Sequence, residues 1–329
     1  MRFAALTLAP AVAYDPSRLT LAFRRGQLDA LVRTHLGPAG LYTPEMQQSL
    51  ALRQLSQAWA AYREDRGITL GARLVGAECA AERDAFLGLV ARTLPSPASP
   101  LAEAVRTVRR IAVAPLAAEA RQAATIEAQS LPQLEAVIAT LASDRLPTDP
   151  LERLLALIEH HRYSLGAGED ALGATALSPC WAINLLALTR PEALALCVPP
   201  IPLPGLARRR LFRADLSAAK RRDAASDGLL KAMLEAARDL DRIWQATRRF
   251  AGQFPQLRSH SRLGSAWALL VSLGELTPAQ LGRALGMTKA GAGKLLRQLE
   301  SGGLARSNGM FEPYACTPIA AAPFAADLY

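Results

Sequence analysis

Thr288, Lys289, Ala290, Gly291, Gly293, Lys294 and Arg297 fall within ten consecutive positions, and Arg306 and Asn308 follow shortly after. Laid on a helix, Lys294 and Arg297 stand three apart on one face, with Lys289 in the first turn at the positive helix start. Ala290, Gly291 and Gly293 carry almost no side chain, so such a helix can approach base edges closely while Lys and Arg contact bases or phosphates. The chemistry is recognition of a polyanion, double-stranded DNA above all. Each glycine costs about 1 kcal/mol relative to alanine, so the helix is expected to fray until DNA orders it.

No other constellation carries comparable chemistry. Gly166-Ala167-Gly168 opens like a nucleotide loop but lacks the final glycine and a preceding strand, and there is no Gly-Lys-Ser/Thr phosphate loop. Glu159-His160-His161 places two histidines side by side, where a helix turns them about 100° apart. With His35 and His260 the only others, a mononuclear metal site is not expected. Cys180 beside Trp181 reads as buried packing rather than a nucleophile, because no nearby motif supplies a base. Arg109-Arg110 and Glu135 read as solvated helix faces, with an acidic-ligand pocket the alternative. Cys79, Cys180, Cys197 and Cys316 show no regular spacing and read as reduced thiols. The expectation is therefore a chain with no catalytic residue, no metal and no cofactor, not an enzyme.

The elements that would hold the basic cluster are written locally. Thr277-Pro278-Ala279-Gln280 spells a capping box with proline at the first helical position. A short helix burying Leu281, Ala284 and Leu285 follows; Gly286 permits a sharp turn, Met287 plugs the angle and Thr288 caps a second helix from Lys289 to about Ser301. Ala292, Leu296 and Leu299 form the inner face of that helix, and Gly302-Gly303 end it. Two helices joined by a short glycine turn match the unit whose second helix enters the major groove. A helical hairpin used for protein contacts has the same pattern. Upstream, Leu263, Trp267, Leu270 and Leu273 predict a preceding helix closed by Gly274. Downstream, Asn308-Gly309 favours a two-residue β-hairpin turn, a wing carrying Arg306 towards a phosphate.

The stretch Leu276 to Thr288, a helix followed by the Leu285-Gly286 pair, apolar Met287 and Thr288, and Leu295-Leu296-Arg297-Gln298-Leu299-Glu300-Ser301-Gly302-Gly303-Leu304 resemble winged helix-turn-helix regulators of the MarR type. From about Arg208 onward the chain is also similar, more loosely, to uncharacterised helix-turn-helix proteins carried on rhizobial plasmids. There the likeness rests on the arginine cluster, a long helix and Arg258-Ser259-His260-Ser261-Arg262. These resemblances imply a bacterial DNA-binding protein, a transcriptional regulator or alternatively a plasmid maintenance or replication factor. They do not reach the first two hundred residues, where unrecognised chemistry joined to a DNA-binding tail is a third reading.

Charge distribution agrees. The formal net charge is +9, and residues 205–310 hold 19 Lys plus Arg against 8 Asp plus Glu, so the whole positive excess lies in that third. Half the residues are apolar and only 5% aromatic, which favours packed helices over strands. The fold class is read as mainly α. Residues 1–204 form an all-helical domain, with helices at about 44–66, 69–93, 101–129, 131–143 and 150–163, and a less regular stretch at 164–204. Residues 205–256 form a basic helical connector, 257–316 the winged helix-turn-helix and 317–329 a tail, the boundary lying at Pro199–Pro204. Within the connector a helix from Asp227 to Phe254 steps through Leu230, Met233, Ala237, Leu240 and Trp244. That spacing suits either a homodimer seam over residues 227–254 or packing against the chain's own core. No apolar run reaches the roughly 18 residues a membrane span needs. Arg2, an apolar stretch and Ala11-Val12-Ala13 mimic a secretory signal, but Pro10 interrupts it, so a cytoplasmic protein is expected.

Overall fold

Prolines open five of the helices: α1 (Pro16–Leu36), α2 (Pro44–Asp65), α4 (Pro100–Ile111), α6 (Pro150–His160) and α10 (Pro278–Leu285). Proline suits a first turn, where its missing N–H would have no helical partner. Ser99, Asp149 and Thr277 cap three of these starts, each side-chain oxygen accepting from the backbone N–H three residues on. The remaining helices are α3 (Ala80–Thr93), α5 (Ala117–Leu141), α7 (Cys180–Thr189), α8 (Ala218–Gln253), α9 (Leu263–Leu273) and α11 (Lys289–Ser301). Strands β1 (Ala305–Ser307) and β2 (Cys316–Pro318) form one antiparallel pair. This computed structural model describes residues 16–36, 44–65, 80–112, 117–143, 145–161, 179–194, 201–203, 205–213, 215–257, 261–307 and 316–318, and the chain is mainly α-helical.

Helix α7 lies in the centre, with all ten residues buried, because an all-round apolar segment has no face to give to water. Its one amide, Asn184, is satisfied by a single residue: it accepts the Ala207 N–H at 2.9 Å and donates to the Ala207 carbonyl at 2.8 Å. Trp181 joins Trp59, Tyr62 and Phe86 in an aromatic cluster between α2, α3 and α7. The irregular stretch expected at 164–204 thus contains a core helix, while Gly166-Ala167-Gly168 lies outside the described residues.

The helix expected over 101–129 is divided between α4 and α5. Helix α5 then continues through Pro132 instead of breaking at residue 130. Its buried positions Ile126, Ser130, Leu134 and Val137 keep helical spacing across the proline, so packing outweighs the lost hydrogen bond. Helix α6 ends at His160, and α3 is described only from Ala80.

Helix α8 starts nine residues before the expected Asp227, capped by Ser217, which accepts the Lys220 N–H. It packs on α1, where Trp244 stacks on His35 with ring centres 4.7 Å apart, and on α2 through Arg53 and Asp239. Met233 and Leu240 are buried in the chain's own core, and Leu230, Ala237 and Trp244 pack against it. The stripe read as a possible homodimer seam over 227–254 is therefore occupied within one chain, which removes its apolar argument for pairing.

The basic run divides in two. Arg221 is buried: it donates to the carbonyls of Leu211, Arg213 and Leu216 and pairs with Glu159 at 3.1 Å. Arg222 holds Glu152 with two bonds of 2.7 and 3.0 Å, and Arg213 pairs with Asp215. These arginines fasten the start of α8 rather than face a partner. One continuous cluster of buried apolar side chains runs from Leu21 to Ala305, crossing the proline run at 199–204. Among the described residues no helix is long and apolar enough to cross a membrane.

Candidate nucleic-acid interface

Helix α9 sits against α2 and α8, and the Trp267 indole N–H donates to the Ala246 carbonyl at 3.0 Å. Gly274, at φ +87°, ends α9. The expected capping box then opens α10: Thr277 Oγ1 accepts the Gln280 N–H, and Gln280 Oε1 accepts the Thr277 N–H at 2.9 Å. Leu281 and Ala284 are buried, whereas Leu285 is only half-buried.

The turn after α10 needs two glycines. Gly286 adopts φ +62°, the left-handed region. At Gly282 a Cβ would stand 2.9 Å from the Met287 carbonyl oxygen, so a side chain would push the turn open. Met287 donates its N–H to the Gly282 carbonyl at 2.8 Å, closing the angle between α10 and α11.

Thr288 caps α11 by accepting the Gly291 N–H at 3.1 Å. A Cβ at Gly291 would meet Thr288 Oγ1 at 3.2 Å and Met287 Cε at 3.3 Å, so this glycine serves the cap. Despite Gly291 and Gly293, α11 runs unbroken to Ser301 rather than fraying. The cap and the burial of Ala292, Leu296 and Leu299 offset the glycine penalty. At its end Gly303 takes φ +67° and the Leu304 N–H bonds to the Leu299 carbonyl, returning Leu304 to the core.

The outward face of α11 lies open to solvent. Thr288, Lys289, Ala290, Lys294 and Arg297 are exposed, and Gly291 and Gly293 are half-buried. Among the described residues Lys289, Lys294 and Arg297 make no ion pair. Arg306 is exposed on β1, whose neighbour Ser307 is tied to α11 by its N–H donating to Glu300 at 3.0 Å.

The strand pair differs from the two-residue hairpin expected. Ala305 pairs with Pro318, Arg306 with Thr317 and Ser307 with Cys316. A two-residue turn at Asn308-Gly309 would pair Ser307 with Met310, so the register places β2 farther along the chain. Asn308 and Gly309 themselves lie outside the described residues.

Two arginines escaped sequence reasoning. Arg283, on α10, donates through Nε and an Nη to the Ile111 carbonyl at the end of α4, at 3.3 and 3.2 Å. Arg262 donates to the carbonyls of Leu285 and Gly286, covering the end of α10. Neither bond has a sequence signal, since the partners are 172 and 23 residues away.

The weaker candidates are placed apart. Cys180 is buried and donates to the Ala207 carbonyl; burial, with the nearby Asp65 carboxylate, pushes its thiol well up, so it stays neutral. His161 is the C-cap of α6, its ring edge-on to His160, and burial holds it below the usual histidine range. Among the described residues no three of His, Cys, Asp and Glu converge as a metal site would require. Arg110 pairs with Glu103 at 2.8 Å, and Glu135 is exposed on α5. No protein-family model matches the chain, and a comparison with curated proteins gives no match.

Proposed function

We propose that this chain is a sequence-specific double-stranded DNA-binding protein, a transcriptional regulator, in which α9–α11 and the β1–β2 pair act as a winged helix-turn-helix. One observation carries the reading. Helix α11 is capped by Thr288, set on α10 through a turn that favours glycine at 286 and has no room for a Cβ at 282, and presents unpaired Lys289, Lys294 and Arg297. A helix start in the major groove aims its first turns at base edges, and small residues there permit close approach. Lys294 and Arg297 read bases, Lys289 reaches a base or phosphate from the first turn, and Arg306 contacts the flanking phosphate.

The test uses the full chain and a pool of random duplex fragments. Bound DNA is recovered, and affinity for the selected site is titrated against salt. A selected sequence bound with a steep salt dependence supports the proposal. Inverted repeats in the recovered DNA fit a regulator, whereas iterated repeats fit a plasmid maintenance or replication factor. A folded chain without affinity for duplex at low salt refutes the proposal.

A further inference from the structure

A second basic surface lies apart from α11. Between α2 and α8, under the segment at 205–210, is a cleft of about 760 Å³. Its walls carry Arg53, Arg208, Arg209, Arg210, Arg238 and Arg242. Four acidic side chains share these walls, and two of them bond to other residues of the lining. Asp239 accepts from Arg53 at 3.1 Å and from Gln57, Glu235 faces Lys231 at 3.7 Å, and Asp65 accepts the Trp181 N–H at 3.1 Å; Glu64 is exposed at the rim. Among the described residues Arg208, Arg209, Arg210, Arg238 and Arg242 have no ion-pair or hydrogen-bond partner.

We propose that this cleft binds a small multivalent anion carrying phosphate or carboxylate groups. Guanidinium groups that line one cleft without carboxylate partners repel one another, and a shared anion relieves that repulsion with two-pronged hydrogen bonds. Burial, and then the neighbouring Arg53, hold the basicity of Arg242 below that of a free guanidinium, against the pull of Asp239. The volume lies within the roughly 300–1,000 Å³ of small-molecule sites. Its concave form suits a compact solute, since a duplex is too wide to enter between two packed helices. Elsewhere on α8, Arg221 is used on carbonyls and Glu159, Arg222 on Glu152, and Arg248 lies over the Trp244 ring.

Isothermal titration calorimetry of the full chain with pyrophosphate and, separately, with citrate tests this. Saturable binding of one equivalent is expected for at least one probe. Pyrophosphate alone indicates a phosphate-bearing ligand, and citrate alone a polycarboxylate. Arg209→Ala and Arg242→Gln should each weaken that binding at least tenfold, while Lys294→Ala leaves it unchanged. Circular dichroism checks that each variant is folded; Arg209 is exposed, so its variant keeps the test decisive even if Arg242→Gln unfolds. Absence of binding by both probes overturns the proposal. So does binding unaffected by either arginine variant. Equal loss of duplex affinity in Arg209→Ala and Lys294→Ala would instead assign the cleft to the nucleic-acid surface and overturn it as well.

Discussion

The α11 face and the α2–α8 cleft are both basic, yet they differ in shape and in what else lines them. On α11, Lys289, Lys294 and Arg297 project from a convex helix among alanine and glycine. In the cleft, arginines from three segments line one concave wall together with four carboxylates, of which Asp239 is paired with Arg53. A third set, Arg221 and Arg222, is spent on carbonyls and on glutamates of α6. Net charge therefore says little by itself about what a surface binds. Curvature and the partners of nearby acids separate the face proposed to bind a polymer from the cleft proposed to bind a small anion, and both from a structural fastening.

The strongest way to break the comparison is to remove one surface whole. Leu296→Asp places an unpaired charge in the core between α10 and α11, at a position with 0% exposure, and should cost several kcal/mol. Duplex binding should vanish while pyrophosphate or citrate binding persists, as calorimetry and circular dichroism would show. Loss of both together would mean that the two surfaces stand or fall as one cooperative unit.

A finer separation comes from Lys294→Ala and Arg297→Ala. Each should lower the preference for the selected DNA site over scrambled DNA by about 1–3 kcal/mol, with Arg209→Ala leaving that preference intact. Thr277→Ala removes one half of the capping box. Urea unfolding should report a loss of about 1 kcal/mol without a change in selected sequence. Arg306→Ala should weaken all sequences alike and reduce the slope of log affinity against log salt by about one.

The smallest effect concerns pH. Burial holds His35 below its ordinary value of 6.5, with Asp241 partly opposing. The folded state thus resists the proton that the unfolded state accepts. Its contribution to stability is complete above about pH 6.5 and declines as pH falls below it. His35→Phe keeps a ring against Trp244 and should flatten this acid sensitivity, measured as the difference between urea midpoints at pH 7.5 and 5.5.

Legibility followed distance along the chain. The Thr277–Gln280 box, the left-handed Gly286 and the Thr288 cap depend on neighbours within a few positions, so residue type alone points to them. Helix α7 was missed because uniform burial erases the polar and apolar alternation that marks a surface helix. Pro132 misled because the break it favours is overruled by side chains of other elements. The roles of Arg221 and Arg283 were illegible for the same reason, since their partners are set by tertiary contacts. Asn308-Gly309 misled differently: a strong local turn preference does not fix which strands pair.

The two bonds from Arg283 to the Ile111 carbonyl, with α9 seated on α2, have a hydrodynamic consequence. Residues 263–305 contribute side chains to the same buried apolar cluster as α1, α2, α7 and α8. A fluorophore or spin label on exposed Lys289 should therefore rotate with the correlation time of a 35.2 kDa body, not that of a small independent module. On the proposed reading, α11 carries that mass with it, so docking α11 on DNA would fix the orientation of the helical body as well.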